Sequence, residues 1–179
     1  MDMGSSAPAT SAPSTSSTAA NNAADVMFAQ MMIAHHMQAI EMSDIVLKKT
    51  GVNPKVTALA NKIKAAQAPE IDEMNGFLTS WGEKPVTSMS DMSDMSGMSG
   101  MAGGEMMSSA DMDKLEKASG SAASSLFLTQ MVQHHTSAVA MAQDEVKNGK
   151  DPQAVALAKK IVSDQTTEIA TMKELLTEL

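Results

Sequence analysis

The chain has no cysteine and no tyrosine, and arginine is missing as well. Without thiols there can be no disulfide, zinc finger, iron–sulfur cluster or cysteine nucleophile. Three Phe and one Trp supply little aromatic material, so the core must come from Ala, Leu, Ile, Val and Met, most of which favour helix. All positive charge sits on lysine and the net charge is −8. That balance argues against nucleic acid, which needs a basic face and favours Arg, and weakly favours cations. No apolar run is long enough to span a membrane or serve as the core of an export signal. If the protein is exported, its export signal is absent from this chain.

What is present in excess is methionine, 19 residues in a chain of 179. Thioether sulfur is soft and uncharged, and it selects ions such as Cu(I) over Zn, Mg or Ca. Methionine also fills irregular gaps in helical cores, which accounts for Met on helices but not for Met in a polar, glycine-rich linker.

The four histidines form two adjacent pairs in matching contexts. Phe28, Met32, His35, His36 and Met42 recur in register as Phe127, Met131, His134, His135 and Met141. Downstream, Gln67-x-x-Glu70-Ile71-x-x-Met74 recurs as Gln165-x-x-Glu168-Ile169-x-x-Met172. A duplicated unit that keeps His, Met, Gln and Glu in step points to a pair of related metal sites.

Residues 1–22 read as a disordered Ser/Thr/Ala/Pro leader. Residues 23–82 form a first helical hairpin, residues 83–109 a Met/Ser/Gly-rich linker, and residues 110–179 a short helix with a second hairpin; 23–179 make one bundle. Asn22 is a good N-cap with Asp25 at N3, and the first helix should stop near Gly51. Asn53 and Pro54 open the second, which ends at Trp81-Gly82, and Pro69 inside it should kink it. Ser109 should cap the short helix over 110–118, with Gly120 breaking the chain before the third long helix. That helix runs to about Asn148, and Pro152 opens the last. Two hairpins with short turns and one long crossover describe an all-α four-helix bundle.

At roughly 100° per residue, Phe28, Met32, His35, Ala39, Met42 and Val46 share one stripe, matched by Phe127, Met131, His134, Ala138 and Met141. The first histidine of each pair is therefore placed inward, and His36 and His135 at the flank. Val56, Ala60, Ile63, Gln67, Ile71, Met74 and Leu78 line the second helix, with Glu70 beside them; Leu157, Ile161, Gln165, Glu168, Met172 and Leu179 line the fourth. Counting from the turns sets His35 level with Gln67 and Glu70, and His134 level with Gln165 and Glu168. Polar groups buried at one height need partners or a ligand.

Imidazole with thioether suits copper. The candidate ligands are His35, His36, His134 and His135, with Met32, Met42, Met74, Met131, Met141 and Met172 as sulfur donors or as core. Glu70 and Glu168 could bind metal, orient the imidazoles or form ordinary polar pairs; Gln67 and Gln165 fit a supporting role. In the linker, Met89, Met92, Met95, Met98 and Met101 recur every third residue, followed by Met106 and Met107. This pattern reads as a flexible soft-metal chelator.

The strings Met32-Ile33-Ala34-His35-His36, Gln67-Ala68-Pro69-Glu70-Ile71-x-x-Met74 and Leu78-x-x-Trp81 closely resemble the CopM-like family, domain of unknown function 305. The resemblance covers about residues 23–179. It implies a ferritin-like four-helix bundle, a periplasmic, secreted or surface-anchored location, copper binding through Met and His, and a role in copper resistance. The second repeat departs in having Thr167 and Leu179 where the first has proline and tryptophan, which puts equal geometry of the two halves in question. Di-iron bundles need Glu-x-x-His, which this chain lacks. The reading is a non-enzymatic copper protein, Cu(I) favoured with Cu(II) or Ag(I) as alternatives, that buffers, sequesters or delivers the ion, with a copper transporter or another copper protein as a partner. The alternatives are a carboxylate-assisted metal oxidase and a metal-free interaction module of the cell envelope.

Overall fold

The computed structural model describes residues 20–91 and 106–179. Its helices are α1 (Ala23–Leu47), α2 (Pro54–Ser80), α3 (Ser109–Lys117), α4 (Gly120–Asn148) and α5 (Pro152–Glu178), and there is no strand among the described residues. The four long helices form the bundle expected from the periodicity: α1 packs on α2, α4 on α5, and α1 on α4, while α2 and α5 meet at few points.

The ends of the helices follow local chemistry. Asn22 and Asp25 form a capping box at the start of α1, satisfying amides that the first turn leaves unpaired. Asn53 and Asp151 cap α2 and α5 by accepting from first-turn amides, each followed by a proline that opens the helix. The first helix ends at Leu47, four residues before Gly51, whose φ of +74° provides the turn. Ser108, one residue before the expected cap, accepts from the Asp111 amide and starts α3. Pro69 does not interrupt α2. It lies on the exposed face, so the carbonyl it deprives of a partner is turned to water.

Each hairpin turn packs against the start of the other hairpin, which fixes α1 and α4 as an antiparallel central pair. The Asn53 amide donates to Ser124 Oγ at 2.9 Å, near the close approach of Gly51 and Gly120. At the other end the Lys150 and Asp151 amides both donate to Asp25 Oδ1 at 2.9 Å. Two apolar clusters follow along the bundle. One holds Phe28, Met32, Met74 and Met141; the other holds Met42, Met131, Met172 and Phe127. The expected inward residues are buried except Ile71, which is partly exposed, and Leu179, which is exposed at the end of the chain.

Candidate metal centre

Between the two clusters lies a layer of histidine. His35 near the middle of α1 and His134 near the middle of α4 face each other with ring centroids 3.6 Å apart. Both are 1% exposed, and none of their four ring nitrogens has a hydrogen-bond partner. Unpartnered buried polar atoms are rare because each carries a desolvation cost of a few kcal/mol. Burial, reinforced by His36 and His135, lowers the His35 pKa to about 3. Burial and the neighbouring histidines also hold His134 well below its ordinary value. Both rings are therefore neutral, and each keeps a lone pair for a Lewis acid.

His36 and His135 are not at the flank: both are fully buried. Moreover, the glutamates that hairpin register set beside the inward pair belong to these outer rings. His36 Nε2 lies 2.8 Å from Glu70 Oε2, and His135 Nε2 lies 2.9 Å from Glu168 Oε2. Their 100° offset turns the outer rings into the seams between α1 and α2 and between α4 and α5, where the second helix of each hairpin covers them. Burial alone would raise the Glu70 carboxyl, but hydrogen bonds from His36 and Lys160 hold it below the usual glutamate value. A carboxylate can only accept, so His36 donates through Nε2 and its unpartnered Nδ1 carries the lone pair. Carboxylate-fixed imidazoles of this type are the usual support of a metal-ligating histidine.

Lysine completes the arrangement, and the sequence reading passed over it. Lys160 Nζ on α5 bonds Glu70 Oε1 on α2 at 2.7 Å, while Lys62 Nζ on α2 lies 3.8 Å from Glu168 Oε1 on α5. The contacts run crosswise, so each carboxylate is held by a histidine of its own hairpin and a lysine of the other. Their only sequence signal is that both precede the isoleucines Ile63 and Ile161 at matching positions of the repeats.

Gln67 and Gln165 bond neither histidine. Their Oε1 atoms are unpartnered, and both residues line a cleft of about 250 Å³ between α2 and α5 that reaches Glu70 and Glu168. The six candidate helical methionines are buried and divide across the repeats: Met32, Met74 and Met141 share one flanking cluster, Met42, Met131 and Met172 the other. Among the described residues no three His, Asp or Glu side chains gather into a metal-binding group; the closest approach of imidazoles is that of His35 and His134, between the two methionine-bearing clusters.

Of the linker candidates, Met92, Met95, Met98 and Met101 lie outside the described residues. Met89 is exposed and Met106 partly so. Met107 does not belong to a flexible chelator: it is buried in the second apolar cluster, with its backbone bonded on both sides by the Gln38 amide.

The fold has close counterparts among solved structures. A DUF305 protein of Streptomyces coelicolor, classed as secreted, is 38% identical over 87% of this chain and 93% of its own, with a TM-score of 0.74. A DUF305 fragment from Deinococcus radiodurans is 30% identical over 88% and 98%, with a TM-score of 0.73. CopM in its Cu(I)-bound form is 30% identical over 86% and 96%, with a TM-score of 0.69; CopM structures also exist in Cu(II)- and Ag-bound forms. No curated protein matches this chain. The pattern of the family described as domain of unknown function (DUF305) matches residues 25–176, and with it this chain belongs to the DUF305 family.

Proposed function

We propose that this protein binds copper outside the cytoplasm, as Cu(I) in preference to Cu(II), and buffers or delivers it in copper resistance without catalysing a reaction. The observation that carries this reading is the layer of four buried histidines, with Nδ1 unpartnered in all four and Nε2 also unpartnered in His35 and His134. His35, His36, His134 and His135 are the ligands we assign, with thioethers from the flanking methionines as further donors. Imidazole and thioether together suit a soft ion. The glutamates are already engaged by histidine and lysine, which favours a supporting role over direct ligation. A low-lying imidazole pKa also removes proton competition for the lone pair. The paired lysines balance the glutamates, so an incoming ion brings its own charge into an apolar layer, and a univalent ion is cheaper to bury than a divalent one. Copper binding by CopM and the secreted classification of the Streptomyces relative support the assignment.

Titration with Cu(I) against a chromophoric chelator tests it. High-affinity uptake should be lost when His35, His36, His134 and His135 are all replaced by Ala. A weaker set should disappear when Met89, Met92, Met95, Met98 and Met101 are replaced by Ser. Unchanged uptake in the quadruple histidine variant would overturn the assignment of the core site.

A further inference from the structure

At the end of the bundle where α1 begins and α4 ends, a second cleft of about 330 Å³ is lined by Met27, Met31, Met141, Asp144, Glu145 and Asn148, among others. Met27 and Met31 are one helical turn apart on α1, and Met141 and Glu145 one turn apart on α4, so each pair presents neighbouring side chains. Met27 and Met31 are half-buried on the wall of the cleft, and Met31 also packs against the first apolar cluster.

Glu145 is 2% exposed, and neither of its carboxyl oxygens receives a hydrogen bond from a donor. Its immediate neighbour is another acid, Asp25, whose oxygens already accept from the Asn22, Lys150 and Asp151 amides. Two buried carboxyl groups side by side require a proton or a cation between them.

The duplicated sequence supplies a control. With His35 set on His134, the positions matching Met27, Met31, Met141 and Glu145 are Leu126, Gln130, Met42 and Val46. There Gln130 Nε2 donates to the Asp111 carbonyl of α3, and Leu115 and Met107 join the apolar cluster. Packing at this level of the bundle is met by Leu and Val under a covering helix. The open end instead has no covering helix, and carries two extra thioethers on the wall of a cleft and an acid set beside a second acid.

We infer that this cleft is a second, outer site for a soft univalent cation such as Ag(I) or Cu(I), held by the thioethers of Met27, Met31 and Met141 and the carboxylate of Glu145. The inference rests on the soft-metal reading of the chain but uses none of the four histidines. The thioethers supply the soft-ion selectivity, and the cation takes the place of the proton that Glu145 otherwise holds beside Asp25, so that one positive charge leaves as another enters.

The test is Ag(I) titration of the full chain carrying 13C-methyl methionine, with assigned Met27, Met31 and Met141 methyl signals read beside imidazole 15N signals. The three methyl signals should shift with one common midpoint, in wild type and in His35→Ala/His134→Ala alike. Met27→Leu/Met31→Leu, which preserves side-chain volume, should lose one Ag(I) equivalent and leave the imidazole response intact. Glu145→Gln should weaken the methyl-detected site at least several-fold. If the imidazoles respond and the Met27 and Met31 methyl signals stay still, the outer site is overturned and the histidine site stands. If the methyl signals move and the imidazoles do not, the outer site stands and the core assignment fails. Silence in both overturns both, and unchanged affinity in Glu145→Gln overturns the carboxylate's part.

Discussion

Each outer histidine donates from Nε2–H to a glutamate that a lysine of the other hairpin also contacts, so histidine, glutamate and lysine come from three different helices. Removing the glutamate charge should free the tautomer of His36. Glu70→Gln is therefore expected to lower Cu(I) affinity on the order of 10- to 100-fold without unfolding the bundle, which chelator competition and circular dichroism would show. Titration of the metal-free protein adds a second expectation at this scale. His35 is lowered to about 3 from an ordinary 6.5, so the unfolded chain binds the extra proton between these values. Stability from this group is complete above about pH 6.5 and is lost as pH falls towards 3. Glu145 behaves oppositely. Burial and the adjacent Asp25 raise it from 4.5 to about 8, so the folded state holds the proton and its contribution is complete below 4.5 and lost as pH rises through 8. Urea unfolding across this range should show the second slope vanish in Glu145→Gln; a slope that persists would mean another group holds the proton.

Among the elements, the hairpin turns decide how the two halves meet. Gly51 has a φ of +74°, and a Cβ there would sit 3.2 Å from the Gly120 Cα. Gly51→Ala meets strain from both the left-handed backbone and the contact, at a cost of about 1–2 kcal/mol. A fall in Tm of several degrees should result, and an unchanged Tm would show that this approach is not tight. The turn between α4 and α5 solves the same problem by charge, with Asp25 gathering two amides where Ser124 gathers one. Capping residues, Pro54 and Pro152 were legible because their signals are local. The buried position of His36 and His135 was not legible, because a 100° offset on one helix does not reveal which neighbour covers that side.

For the whole molecule, the chelating role proposed for the linker predicts that it is separable from the anchoring of the linker's end. Met107 anchors it to the core through Gln38 and the second apolar cluster, so Met107→Ala should cost about 2–5 kcal/mol in chemical denaturation. Replacing the five periodic linker methionines by Ser should leave stability unchanged and alter only the number of bound Cu(I) equivalents. Equal destabilisation by both changes would contradict this division of roles.

The sequence by itself determined the helices, the pairing of each hairpin and the membership of His35 and His134 in the core. All of these follow from periodicity, capping and composition along one segment at a time. Only the tertiary structure decided that His35 faces His134, that Glu70 serves His36, that Lys160 and Lys62 reach across, and that each methionine cluster draws on both repeats. Those contacts arise from the antiparallel docking of α1 on α4. That docking is set by burial and turn contacts between residues far apart in the chain, which no periodicity within one helix encodes.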